Sequence, residues 1–186
     1  MDVFDAWRKN KPTTLFLDRD GVINRRKFGS YVMTPEEFIF LDGVKPALQM
    51  LRPLFDRIII VTNQQGIAKG LMTKSNLEAV HRYMLDELEK IGVKMDAVLA
   101  AENLKGEKPD RRKPQPAMAL EAKEMYPDID LSRSIMVGDT DSDVQFGINV
   151  GMKTVLIRSA EETKVTPDLT EDSLLAFAEK YQKLVR

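Results

Sequence analysis

The chain has no cysteine and a single histidine, so disulfides are excluded and a tetrahedral site of thiolates and imidazoles cannot be built. It has no apolar run near the roughly 20 residues that a membrane-spanning helix requires. No secretory signal is recognisable, and a cytoplasmic location is expected. An excess of charge of one sign is missing as well: 28 Lys and Arg face 29 Asp and Glu, for a net charge of −1. That balance gives no general attraction to nucleic acid or to an anionic membrane surface. No basic stripe with interleaved aromatics is present, so no nucleic-acid partner is expected. The G-x-x-x-x-G-K-[ST] phosphate loop is absent too, which disfavours a kinase.

What is present fits an ordinary globular protein. A length of 186 residues, 43% of them hydrophobic and 31% charged, suits one domain over 1–186 with a core over 14–158. Short apolar runs alternate with helical periodicity. This pattern predicts an α/β fold, a Rossmann-like parallel sheet with helices on both faces. Strands are predicted at 15–17, 57–63, 96–101, 134–139 and 153–157. Helices are predicted at 44–55, 73–91, 116–125 and 143–149, with a closing amphipathic helix at 171–185. In the clearest helix, Thr73 or Ser75 can act as cap, and Leu77, Val80, Met84, Leu85, Leu88 and Ile91 form the apolar stripe. His81 lies within that helix and reads as structural. The ten methionines read as core filler. Trp7 either packs on the domain or marks a contact.

The most informative stretch is Leu15-Phe16-Leu17-Asp18-Arg19-Asp20-Gly21-Val22-Ile23-Asn24. An apolar run without alternation reads as a strand buried on both faces. Asp18 then sits at its C-terminal tip, where open α/β sheets bind ligands, and Gly21 lets the chain turn. Asp18 and Asp20 repel each other unless a cation or a proton intervenes. Partners stand at the ends of other strands. Arg57–Asn63 ends on Thr62 and Asn63, and the 134–139 strand ends on Asp139 and runs on to Asp143. Between them, Pro114 discourages helix at Lys113 and makes Arg111-Arg112-Lys113 a loop carrying cations. Right-handed crossovers bring such tips to one edge.

This constellation resembles the haloacid dehalogenase-like phosphohydrolases, with motifs DxDG(V/T), a strand ending in Thr or Ser, a Lys, and GDxxxD. The matching residues are Asp18 and Asp20, Thr62, Lys113, and Asp139 with Asp143, over residues 14–158. The wording is similar to one branch in particular. Asp18–Asn24, Tyr31-Val32, Pro35–Phe38, Leu41–Val44, Thr62–Ile67 and Arg112–Pro116 look like the histidinol-phosphate and heptose-1,7-bisphosphate phosphatases. That branch typically carries a Cys/His loop with structural zinc before the Arg-Lys-Pro segment. Here residues 101–110 contain neither residue type, which implies a zinc-less relative. Superfamily members can insert a large cap domain after the first or second strand. Neither gap can hold one here, so a capless fold is expected, covered by a 25–41 flap and the basic loop.

A phosphate monoester needs a nucleophile, an acid for its leaving oxygen, and positive charge around the phosphoryl group. Asp18 is expected to be the nucleophile, forming an aspartyl-phosphate. Asp20 is expected to act as acid and then base, with Arg19 pointing away between them. Thr62 and the backbone N–H of Asn63 are expected to donate to phosphate oxygens, and Lys113 to offset Asp18. The resemblance implies Mg²⁺ on Asp18, Asp139 and the carbonyl of Asp20, with Asp143 either a direct ligand or holding a ligand water. Arg112 has a planar fork suited to a second anionic group. Gln65 and Arg26 complete the expected substrate-binding set, while Asp141 and Arg111 read as solvated. Arg25, Arg26 and Lys27, with Arg112 and Lys113, exceed the cations one phosphate requires. The expected substrate is therefore heptose 1,7-bisphosphate, cut at position 7. Histidinol phosphate and other sugar phosphates are the alternatives, and a phosphate-receiving signalling domain is a more distant one. The expected partner is that small phosphorylated metabolite, and the expected state a monomer or weak oligomer.

Overall fold

A computed structural model describes Trp7 and residues 11–185. Among the described residues six strands build one sheet: β1 (Thr14–Leu17), β2 (Arg57–Asn63), β3 (Ala97–Ala101), β4 (Ser134–Gly138), β5 (Lys153–Ile157) and β6 (Leu169–Glu171). Their order is β3-β2-β1-β4-β5-β6 and every pairing is parallel. The strand sequences explain the burial. With a side-chain period of two, Leu15, Leu17, Ile58, Ile60, Ile135 and Val137 enter one core, while Phe16, Ile59, Val61 and Met136 enter the other. Helices α1 (Val44–Leu51), α2 (Lys74–Glu89) and α5 (Leu174–Val185) cover the first core. Helices α3 (Ala117–Met125) and α4 (Asp141–Asn149) cover the second. Among the described residues no helix is long and apolar enough to cross a membrane.

Local chemistry sets the element ends. Thr73 is the cap of α2: its Oγ1 accepts from Asn76 N at 3.1 Å, and Asn76 Oδ1 accepts from Thr73 N at 2.9 Å. Helix α1 stops at Leu51, and Pro53 tightens Arg52–Leu54 into a 3₁₀ turn. Two predicted helix starts are corrected. The closing helix begins at Leu174, because Leu169–Glu171 pairs with Val155–Ile157 as a sixth strand. Helix α4 begins at Asp141 rather than Asp143, because Thr140 and Asp143 form a capping box one turn earlier. Trp7 packs on the domain, buried edge-on against Phe177 and Tyr181.

The sheet order reverses between β1 and β4, which opens a crevice beyond their C-terminal ends. Asp18 N donates to Val137 O at 2.9 Å, carrying the β1–β4 ladder one residue past the strand. The chain then turns tightly, with the carbonyl of Arg19 accepting from Ile23 N at 2.8 Å and Asn24 N at 3.1 Å. Asp18 and Asp20 thereby reach the crevice from one short, anchored loop.

Candidate active site

The floor of the crevice is a buried knot of three carboxylates and one ammonium. Lys113 Nζ donates to Asp18 Oδ1 at 2.7 Å and to Val61 O at 2.8 Å. The same Nζ lies 2.6 Å from Asp143 Oδ1. Its loop is fixed by Asn63, whose amide spans the Lys113 peptide: Nδ2 donates to Lys113 O at 3.1 Å and Oδ1 accepts from Lys113 N at 2.9 Å. Asp143, third residue of α4, accepts at Oδ2 from Thr140 Oγ1 at 2.7 Å and Thr140 N at 3.1 Å. Carboxylate oxygens of Asp18, Asp139 and Asp143 lie within 4.8 Å of one another. Two glycines make this closeness possible. A Cβ on Gly21 would stand 2.2 Å from Asp139 Oδ2, and one on Gly138 would stand 2.0 Å from Asp143 Cβ.

Crowding sets the protonation. Burial drives the Asp18 carboxyl up to about 7 against the pull of Lys113, with the charges of Asp143 and Asp20 reinforcing burial. Burial likewise takes Asp139 to about 8, aided by Asp18 and Asp143 and opposed by Arg26 and Lys113. Lys113 is raised: burial disfavours its charge, but Asp143 and Asp18 outweigh burial. One ammonium cannot neutralise three carboxylates, and Asp139 Oδ1 is buried without a hydrogen-bond partner. A hard divalent cation with oxygen ligands fits that donor set.

Asp20, two residues on, lives differently. Arg19 Nη2 donates to both its oxygens, at 3.0 and 2.9 Å. Asn24 Nδ2 donates to Oδ1 at 2.9 Å and Gln64 Nε2 to Oδ2 at 2.7 Å. Burial pushes Asp20 up, but the Arg19 charge and the bonds from Asn24, Arg19 and Gln64 win and hold it below the ordinary carboxylate range. Gln64 Nε2 also reaches Thr62 Oγ1 at 2.9 Å, which leaves the hydroxyl proton of Thr62 free for a ligand.

Above the floor, a cleft of about 570 Å³ opens between the flap and the basic loop. Its mouth carries Arg26, Lys27, Lys69 and Arg112, with Phe28, Tyr31 and Leu71 between them and Glu161 and Glu162 on one side. Arg26 is drawn toward acids, 3.5 Å from Asp139 Oδ2 and 3.2 Å from Glu161 Oε1. Lys27 pairs with Glu37 at 2.7 Å. The Nη1 atoms of Arg26 and Arg112 are both buried without a hydrogen-bond partner. Phe28 and Leu71 are 65% and 57% exposed at this rim.

The structure thus brings together Asp18, Asp20, Thr62, Asn63, Gln65, Arg26, Arg112, Lys113 and Asp143 around one cleft, with Asp139 in the acidic cluster below. Arg25 is exposed and lies outside the cleft lining, so the basic run reaches the cleft with two members. Arg19 does point away from the cleft, but it turns back onto Asp20 rather than into solvent. Asp141 is bound rather than solvated: its carboxylate accepts from Lys164 N at 2.8 Å and Val165 N at 3.0 Å. Sequence reasoning missed Asn24, Lys69 and Glu161, and it read Gln64 as a reader of substrate hydroxyls or a plain loop residue, whereas its amide holds Asp20 and Thr62. A buried arginine between two acids signalled one hidden cradle; an acidic pair after the tip of β5 signalled the mouth. Residues 101–110, which hold neither Cys nor His, are tied by their own side chains. Asp110 accepts from Arg112 N at 3.0 Å, Asn103 Nδ2 at 3.3 Å and Gly106 N at 3.3 Å, and Glu107 from Leu104 N at 2.8 Å.

Known proteins share both sequence and fold. Residues 110–176 match the family model of HAD-hydrolase-like proteins. A D-glycero-alpha-D-manno-heptose-1,7-bisphosphate 7-phosphatase from Mycobacterium bovis is 37% identical over 178 residues, covering 93% of each chain. The enzyme of that name from Campylobacter jejuni is 38% identical over 152 residues, covering 82% of this chain and 86% of its own. Among solved structures, the D,D-heptose 1,7-bisphosphate phosphatase of B. bronchiseptica, complexed with magnesium and phosphate, superposes with a TM-score of 0.84. It is 29% identical, over 92% of this chain and 98% of its own. Strand-tip acids, a shared fold and relatives of nearly equal length agree: the chain is a phosphatase and belongs to the HAD-like family that includes the heptose-1,7-bisphosphate 7-phosphatases.

Proposed function

We propose that the cleft removes the 7-phosphate of D-glycero-manno-heptose 1,7-bisphosphate through an aspartyl-phosphate on Asp18. The observation that carries this reading is geometric: Asp18, at the tip of β1 and bonded to Lys113, and Asp20, two residues on, face one cleft from a single anchored loop. Asp18 Oδ2 attacks phosphorus while Oδ1 stays on Lys113. As the bond from phosphorus to the sugar oxygen breaks, Asp20 gives that oxygen a proton. Held ionised at rest, Asp20 acquires the proton once a phosphate dianion enters, because a like charge nearby raises its affinity for it. In the second half Asp20 takes a proton from water, which attacks the acyl phosphate and restores Asp18. Thr62 Oγ1 donates to a phosphoryl oxygen, and Lys113 balances the charge there.

Asp18, Asp139 and the carbonyl of Asp20 are the proposed Mg²⁺ ligands. The ion, when bound, supplies positive charge to the phosphoryl oxygens and relieves the repulsion among the acids. Asp143 is committed to Lys113 and Thr140 and serves by orienting that shell. For the substrate, Arg112 and Lys69 offer cationic groups beyond those on the floor, which suits a second phosphate and repels the amine of histidinol phosphate. Relatives carry both α and β names, so both anomers belong in the assay. The test is phosphate release with Mg²⁺ from each heptose 1,7-bisphosphate anomer, fructose 1,6-bisphosphate and histidinol phosphate. The expected result is the highest kcat/KM on a heptose bisphosphate, leaving heptose 1-phosphate. Equal or better turnover of histidinol phosphate would refute the substrate.

A further inference from the structure

Arg19 is fully buried, and Asp20 is its salt-bridge partner. Its Nη2 grips both oxygens of Asp20, while its Nη1 lies 3.1 Å from His81 Nε2 on α2. Arginine only donates and stays charged, so Nε2 must accept, and a neutral ring then carries its proton on Nδ1. Burial and the Arg19 charge, against the pull of Asp20, keep His81 neutral by lowering its pKa to about 3.

Stability alone does not account for this cluster. Arg19 Nε, Asn24 Oδ1 and Gln64 Oε1 are all buried without a hydrogen-bond partner, and each such group costs the fold its lost hydration. A buried ion pair is, moreover, often no more stable than well-packed apolar residues of the same volume. What the cluster provides is direction. With Nη2 on the carboxylate alone, the guanidinium could swing about its long stem; the second anchor on Nη1 fixes its plane. Without that fork, Asp20 would be held by two amides, those of Asn24 and Gln64.

We propose that Arg19 and His81 are a positioning pair, in which helix α2, through His81, fixes the fork that aims the Asp20 carboxylate at the leaving oxygen. This rests on Asp20 being the acid of the proposed phosphatase reaction. A misdirected acid harms esters according to how much their leaving group needs a proton. A sugar alkoxide needs one; 2,4-dinitrophenolate does not. The experiment therefore compares kcat/KM, which leaves out the hydrolysis of the aspartyl-phosphate common to both esters, on a sugar monophosphate and on 2,4-dinitrophenyl phosphate for wild type, Arg19→Gln, His81→Leu and His81→Gln.

Arg19→Gln is expected to lose on the order of a hundredfold in kcat/KM on the sugar ester and less than about threefold on the dinitrophenyl ester. His81→Leu should show the same selectivity at about a tenfold loss, with KM within about twofold. His81→Gln, whose amide oxygen can accept from Arg19, should recover most of it. Because the chain has one histidine, its imidazole NMR signals are unambiguous. They should report the Nδ1–H tautomer in wild type and move in Asp20→Asn. Equal losses on both esters, or a proton on Nε2, would overturn the positioning pair. Wild type that releases phosphate from neither ester would instead overturn the phosphatase reading, and the tautomer would still report on the pair.

Discussion

The floor and the mouth of the cleft are built on opposite plans. On the floor, Lys113, Asp18, Asp139 and Asp143 are buried and bound at short range, and a lysine holds two acids within 2.7 Å. At the mouth, Arg26 and Lys27 bind acids at partly exposed sites, and Phe28 and Leu71 face solvent. A rigid floor suits chemistry common to all phosphate esters, where small displacements cost large factors in rate. An open mouth without a cap suits selection among substrates by charge and shape. The floor should accordingly control kcat, and the mouth KM.

The strongest way to break that division is Asp18→Asn. Turnover should fall by on the order of 10⁴ or more, since the nucleophile is lost. The metal-free protein should meanwhile melt higher at pH 8, because one of three crowded charges is gone. Each kcal/mol of relief is worth about 2–4 °C at this size. Calorimetry in EDTA beside a phosphate-release assay checks both halves; a lower melting point would contradict the crowding.

Lys113→Met should act next. The loss of charge opposite the phosphoryl group is expected to cost on the order of 10²–10³ in kcat. Unpaired buried acids should also destabilise the metal-free fold by about 3–5 kcal/mol at pH 8. Denaturant titration at pH 8 and pH 5 separates the causes, since at pH 5 Asp18 and Asp139 take up protons and the loss should shrink.

Metal and pH give the third test. Asp18 near 7 and Asp139 near 8 lie above their ordinary value of 3.8. Between pH 4 and 8 the metal-free folded state therefore binds more protons than the unfolded chain. Stability is fullest below about pH 4 for these two groups and declines as pH rises through 7 and 8. Added Mg²⁺ should cancel the decline, so its stabilisation should grow with pH. Scanning calorimetry with and without the ion reads this directly, and a Mg²⁺ effect independent of pH would contradict it.

The mouth should yield the smallest effect. Arg112→Ala is expected to raise KM for a bisphosphate by about tenfold, with kcat within twofold. An aryl monophosphate should show little change in either constant. A drop in kcat alone would move Arg112 to the floor.

Much of the floor was legible in the sequence because its carriers end strongly apolar strands. Thr62 and Asp139 are read as tips from Ile58–Val61 and Ile135–Val137, and Pro114 marks the loop that delivers Lys113. The rest depends on distance in the chain. The bond between Arg19 and His81 joins residues 62 apart, and His81 carries no local sign of its partner. Asn63 was expected to offer its backbone N–H, yet its side chain is spent on the Lys113 peptide, a pairing visible only after folding. Leu169–Glu171 is three residues long with no apolar run, and it becomes a strand because the edge of β5 offers a ladder.

One contact governs how this machinery can fail. The strand end at Gly138 and the first turn of α4 touch so closely that not even a methyl group could separate them. Ligand geometry is therefore written into backbone packing. Chelation should withdraw the ion and leave the carboxylates standing where they were. To scatter them, the junction between sheet and helix must part, and with it the hydrophobic interior beneath.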